Sequence, residues 1–136
     1  GYVQVGDSSG GVNVTVSGLT TLGSGTANAI VGGTSSTVSI LTVNSSGTST
    51  YGGNLGGSSG NQASLGFTKT GTGTQILTGT NTYSGATTVS AGTLTLSGSL
   101  SGGTAITVNG TGFLNETTTG VRSPPVCPKR MTRMPT

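Results

Sequence analysis

Histidine and tryptophan are missing from this sequence, and acidic and basic residues together supply only 5 % of it. Without an imidazole the chain lacks the usual general base for neutral pH and the partner that activates a cysteine nucleophile. Its two acids, Asp7 and Glu116, stand too far apart in sequence to suggest a catalytic carboxylate pair. No Asp-rich loop offers calcium its oxygen ligands. The single cysteine, Cys127, excludes an internal disulfide and reads as an incidental free thiol. No apolar run comes near the roughly 18 residues of a membrane-spanning helix. These absences speak against an enzyme, a cofactor or a bound metal.

Bulky side chains are scarce as well. Aromatic residues make up 4 % of the chain, whereas Gly, Ser, Thr and Asn fill about three-fifths of it. A compact sandwich needs a thick core of large side chains, so the choice narrows to disorder or a thin-cored fold. Disorder goes with high net charge, many prolines and few β-branched residues. Up to Asn115 there is no proline, Asp7 balances Lys69, and Thr, Val, Ile and Leu are plentiful. The stiff χ1 of β-branched residues suits extended, pleated backbone. A β-solenoid reconciles these facts, because each coil needs only a few inward aliphatics and rests on its neighbours.

The formal charge of +3 belongs to the end of the chain. Arg122, Lys129, Arg130 and Arg133 all follow Gly120, as do the four prolines, Pro124, Pro125, Pro128 and Pro135. Proline removes ladder donors, so residues 116–136 read as an irregular, basic, Pro-rich tail and residues 1–115 as the repeat region. No basic face with interleaved aromatics marks the main body, which argues against a nucleic-acid partner. The chain starts at Gly1 without a signal peptide, and the expectation is a processed or excised piece of an exported protein.

Short alternating segments recur between Gly/Ser/Asn clusters. Residues 2–5, 12–16, 29–31, 38–43, 75–77, 93–96 and 105–108 read as strands. Val12, Val14 and Val16 share a face, as do Leu94 and Leu96, or Ile106 and Val108. Gly32-Gly33, Gly52-Gly53, Gly56-Gly57 and Gly102-Gly103 punctuate the runs as turns. Leu77-Thr78-Gly79 recurs as Leu96-Ser97-Gly98, Val89 as Val108, Leu94 as Phe113, and Leu41-Thr42-Val43-Asn44 as Ile106-Thr107-Val108-Asn109. A period near 20 lies in the solenoid range and predicts about six coils.

The run from Phe67 to Leu94 resembles the autotransporter-associated β-strand repeat, also known as the passenger-associated transport repeat. Its anchors are Lys69, Gly71, Gly73, Gly79, Asn81, Tyr83, Gly85, Thr87, Val89, Gly92 and Leu94. Two positions depart from the pattern: Phe67 replaces a leading Leu, and Gln75 stands where the pattern has an apolar residue. The segment 41–55 looks like a weaker part of the same unit. The resemblance implies an all-β, right-handed parallel β-helix in the exported passenger of a bacterial surface protein, with no catalytic residues to carry over. It suggests an inter-coil amide ladder for Asn81 and a place on a coil edge for the Tyr83 ring.

The expected role is a structural stalk, secreted or at the cell surface, facing cell-surface or matrix components. A self-assembling filament is the first alternative, because a solenoid end exposes unpaired strand edges and Asp7, Lys69 and Glu116 are almost the only charges available to block pairing. An ice-binding or adhesive surface is the second, suggested by Thr68-Lys69-Thr70, Thr72-Gly73-Thr74, Thr78-Gly79-Thr80-Asn81-Thr82 and Thr93-Leu94-Thr95. That reading requires Thr-x-Thr at the same place in several coils.

Overall fold

Short runs that alternate Val, Leu or Ile with Thr can bury only one face, and each gains little alone. The chain lays each run over an equivalent run one coil earlier. The structure, a computed structural model, describes residues 1–23, 27–33, 36–100 and 105–117. Among these it has fourteen strands: β1 (Tyr2–Val5), β2 (Asn13–Val16), β3 (Ala29–Gly32), β4 (Ser39–Asn44), β5 (Thr48–Tyr51), β6 (Asn54–Leu55), β7 (Leu65–Thr70), β8 (Thr74–Leu77), β9 (Thr80–Asn81), β10 (Thr87–Val89), β11 (Thr93–Leu96), β12 (Ser99–Leu100), β13 (Ile106–Val108) and β14 (Phe113–Glu116). The tail from residue 118, with Cys127 and the prolines, lies outside the described residues, and so does the turn at Gly102-Gly103.

Every named strand pairing is parallel. The first face stacks β2, β4, β7, β10 and β13; the second stacks β5, β8, β11 and β14. The third face holds β1, β3 and β6, then β9 and β12. This is a β-solenoid of short strands, with adjacent rungs about 4.8 Å apart.

Two of the sequence recurrences are true register partners. Leu77 pairs with Leu96 and Val89 with Val108. A third is offset by a single position: Leu94 pairs with Leu114, leaving Phe113 to pair with Thr93 and face outward, 44 % exposed. The coils are unequal in length. Phe67, Thr87 and Ile106 pair in succession, so the later coils run from 67 to 87 and from 87 to 106. Asn13 pairs with Ile40 and Ile40 with Gly66, so the earlier coils, from 13 to 40 and from 40 to 66, are longer. The first face accordingly has five described rungs where a uniform period predicted six.

Inward positions form columns along the axis. On the first face Leu41, Phe67, Thr87 and Ile106 make one column, and Val43, Lys69, Val89 and Val108 another. On the second face Ser49, Gln75, Leu94 and Leu114 stack, beside Tyr51, Leu77 and Leu96. Most of these side chains are fully buried, and the apolar ones join one continuous cluster. The core is one or two side chains thick, as the shortage of large residues required.

Glycines hold two of the corners. Gly47, Gly73, Gly92 and Gly112 each precede a second-face strand, and the following residue of one coil donates to the glycine of the coil before: Thr74 N to Gly47 O at 2.9 Å, Thr93 N to Gly73 O at 3.0 Å, Phe113 N to Gly92 O at 2.8 Å. A Cβ on Gly73 would lie 2.2 Å from Gly47 O. At the next corner, a Cβ on Gly79 would lie 2.0 Å from Gly53 O, and one on Gly98 2.0 Å from Gly79 O. Backbones pass here too closely for any side chain.

Candidate functional site

The residues that could carry chemistry are polar groups set into an apolar column, and each one's partners decide its role. Lys69 sits on β7 between Val43 and Val89 and is fully covered. Its Nζ donates to the carbonyls of Thr70 and Gly71, the latter at 3.1 Å. Gly71 has φ +73 and Gly92 φ +65, and a Cβ on Gly92 would lie 2.9 Å from Nζ. The lysine therefore ties down the tight turn that follows its own strand, and desolvation lowers its pKa. It does not stand on an edge as a charge that blocks pairing.

Asn81 is equally buried, at a position filled by Leu100 in the following coil. Its Oδ1 accepts from Leu55 N at 3.0 Å, and its Nδ2 donates to Ser99 O at 3.1 Å and Gly79 O at 3.2 Å. The amide thus bridges three coils through backbone groups, not through a ladder of like side chains. By taking the Leu55 N–H it interrupts the third face between β6 and β9, where the sheet divides. Asn54 Oδ1 accepts from Thr80 N at 3.0 Å across the same break.

Tyr83 lies wholly inside the core and not on a coil edge. Its hydroxyl and that of Thr87 lie 2.6 Å apart and satisfy one another. Burial pushes the Tyr83 pKa up to about 12, partly offset by that bond. Thr87 can therefore occupy a column between Phe67 and Ile106 without an orphaned hydroxyl.

The remaining anchors are backbone or packing positions. Gly71, Gly73, Gly79, Gly85 and Gly92 all lie where a Cβ would meet a neighbouring coil's backbone within 3 Å. Val89 and Leu94 are fully buried. The eleven anchors lie along successive coils, none of them lines the pocket at the first coil, and their buried polar atoms are satisfied within the fold.

One polar position was visible in the sequence only as a departure. Gln75 is fully buried, and its amide exchanges two bonds with Leu19: Leu19 N donates to Oε1 and Nε2 donates to Leu19 O, each at 3.0 Å. The short Ser49 beside it in the column lets the side chain reach past β5 to that backbone. Nothing in the spacing of Gln75 and Leu19 pointed to this contact.

The outer faces sort the Thr-x-Thr sequences. Only Thr68-Lys69-Thr70 lies on the first face; Thr93-Leu94-Thr95 lies on the second, while Thr72-Gly73-Thr74 and Thr78-Gly79-Thr80 run through corners. On the second face the outward rows read Thr48, Thr74, Thr93, Phe113 and Thr50, Ile76, Thr95, Asn115. On the first face Thr15, Thr42, Thr68, Thr88 and Thr107 pair in unbroken succession. Of these five, only Thr68 belongs to a segment that suggested such a surface.

A pocket of about 350 Å³ opens at the first coil, lined among others by Tyr2, Leu19, Ile30 and Tyr51. Tyr2 and Val3 beside it are 62 % and 63 % exposed. Among the described residues no group of three or more His, Cys, Asp or Glu comes together to hold a metal.

In comparison with known proteins, the family model of the passenger-associated-transport-repeat matches residues 67–96. The matched stretch runs from the middle of β7 to the end of β11, one complete coil and the first two faces of the next. No curated protein and no solved structure matches the chain. The chain thus carries a structural repeat associated with exported autotransporter passengers.

Proposed function

We propose that the chain is a structural coil segment, a stalk piece of an exported bacterial surface protein, and that it performs no catalysis. The observation that carries this reading is the use made of the polar residues in the matched repeat. Lys69, Asn81, Tyr83 and Thr87 are buried, and each bonds to backbone or to one another. Such groups order coils against coils and leave nothing presented to a substrate. The experiment is protease shaving of intact cells that make the protein, followed by detection of this segment. Release into the supernatant is expected; full protection in intact cells with digestion only after lysis would refute a surface location. Removing residues 68–87 in frame joins Phe67 to Thr88 and deletes one coil at the observed register, so a shorter but folded and displayed segment is expected.

A filament is the second reading, and a specific observation favours it. The first rung of the first face, Asn13-Val14-Thr15-Val16, has the pattern of the last, Ala105-Ile106-Thr107-Val108. β2 and β13 are the two outer strands of that sheet, and Val14 and Val16 are only half-buried. A second copy's β13 would sit on β2 as β4 does from the other side, a head-to-tail contact that propagates. Electron microscopy at high concentration should then show fibres, and dispersed single particles would remove the reading.

A further inference from the structure

We propose that the first face of the solenoid binds ice. This goes beyond the stalk reading and stands apart from it. The five threonines Thr15, Thr42, Thr68, Thr88 and Thr107 occupy one register position on five consecutive rungs. Two positions further on stand Ser17, Asn44, Thr70, Ser90 and Asn109, so only the Thr68 rung carries a full Thr-x-Thr. The expected repetition of Thr-x-Thr is not met, and the proposal rests on the single unbroken threonine row flanked by a mixed polar one. The intervening inward residues are Val16, Val43, Lys69, Val89 and Val108. The one charge in that set is turned into the core, which leaves the two rows uncharged.

The geometry suits a crystalline water surface. Rungs repeat at about 4.8 Å, and alternate residues along a strand stand about 6.7 Å apart. The rung repeat is close to, and slightly longer than, the oxygen repeat along one axis of hexagonal ice, so hydroxyls on neighbouring rungs fall near equivalent lattice sites. Each threonine offers a hydroxyl that donates and accepts, with a methyl beside it that excludes disordered water. On the other side of the row stand Asn13, Ile40, Gly66, Ala86 and Ala105; apart from Asn13 on the first rung, none has a polar side chain to overhang it. The strands beneath are fixed by ladder bonds to their neighbours, so the array is ordered before it meets its ligand and little further entropy is lost. A single hydroxyl contact to water is weak; repetition along a rigid row makes the contacts cumulative.

The second face is an internal control. Its outward rows are broken by the apolar Ile76 and Phe113, so neither is an unbroken row of threonines. The first face predicts thermal hysteresis and faceted ice crystals from the full chain at millimolar concentration. Thr88→Lys places a charge in the row and should abolish both, whereas Thr95→Lys on the second face should leave both unchanged. Circular-dichroism melts check that each variant is folded, and Thr42→Lys probes the same row from another rung should Thr88→Lys not fold. Round crystals without hysteresis from the wild-type chain would overturn the proposal. Equal loss in Thr95→Lys and Thr88→Lys would also overturn it, because the effect would then not belong to this face. Neither outcome touches the surface-shaving result on which the stalk reading depends.

Discussion

Replacing Gln75 by leucine puts an apolar residue where the repeat's pattern has one, and should nonetheless destabilise this chain. The Gln75 amide holds both the N–H and the C=O of Leu19, each at 3.0 Å, in a buried setting. The segment around Leu19 forms no strand, and its backbone is tied to β5 by Thr21 N donating to Thr50 O at 3.2 Å. Thr21 Oγ1 also accepts from Gly52 N at 2.7 Å. Leucine at position 75 would leave two backbone groups unpaired, at about 1–3 kcal/mol each. Against this stands about 1.5–3 kcal/mol for burying the new side chain. With water reaching part of the opened site, the net loss should be about 1–2 kcal/mol. Gln75→Ala, which loses the bonds and leaves a void, should cost about 3 kcal/mol or more.

Denaturant melts give the global cost, and hydrogen exchange at the Leu19 amide gives the local one. Leu19 protection should fall in Gln75→Leu well beyond the global change. A Gln75→Leu chain that is more stable than wild type, with Leu19 exchange unaltered, would refute the argument, because the amide would then not be clamping that segment.

Other consequences can be checked on the same material. The Tyr83 phenol stays protonated to about pH 12 in the fold but ionises near 10 when unfolded. From pH 10 to 12 the unfolded state therefore binds fewer protons and stability falls, by up to about 3 kcal/mol. Tyr51, also raised by burial, acts in the same direction, while Lys69, lowered by desolvation, makes stability rise with pH below its unfolded value of 10.5. Melting temperature should thus peak near pH 10, and Tyr83→Phe should flatten the fall above it. Gly79→Ala brings a Cβ within 2.0 Å of Gly53 O and should cost about 3 kcal/mol, whereas Gly60→Ala, with nothing within 4 Å, should change stability by less than about 0.5 kcal/mol. Ser45 Oγ is buried without a hydrogen-bond partner, so Ser45→Ala should raise stability by about 1 kcal/mol in a urea melt.

How much of this was legible depended on what made each strand. β1, β2, β3, β4, β8, β11 and β13 were readable because Val, Leu and Ile recur in them. β5, with the sequence Thr-Ser-Thr-Tyr, and the very short β6, β9 and β12 carry no such signal. They are strands because neighbouring coils offer them ladder partners, a cause that a local window does not contain. The same limit applies to the anchors. Spacing marked Lys69, Asn81 and Tyr83 as positions of the repeat, but their burial and partners depend on neighbouring coils. The outward threonine row shows the limit most clearly. Its steps, from 15 to 42, 68, 88 and 107, shorten along the chain, so no fixed period aligns Thr15, Thr42, Thr68, Thr88 and Thr107.

The uneven spacing itself has a location. Between the first and second faces three connections are alike, at 45–47, 71–73 and 90–92, and the last, at 109–112, is one residue longer, which offsets Phe113 from Leu94. Those between the second and third faces are alike, at 52–53, 78–79 and 97–98. These are the corners where Gly73, Gly79, Gly92 and Gly98 bring backbones too close for a side chain. The remaining corner is short at 82–86, longer at 6–12 and longest at 56–64. There Ser58, Ser59, Gly60 and Asn61 are exposed, and Gly60 has open space around it. Length can vary at this corner because loop closure grows costlier only slowly, about 0.6 kcal/mol per doubling. Two glycines inserted after Gly60 add little closure cost but separate Ser59 and Gly60 from their partners Gln62, Ala63 and Ser64 in this exposed turn, so stability should fall by about 1–2 kcal/mol. The same insertion after Thr78 would displace Gly79 from Gly53 and push every following residue out of register with the coil before, so it should unfold the coils after β8. Equal melting curves for the two insertions would show that the glycine corners do not set the register.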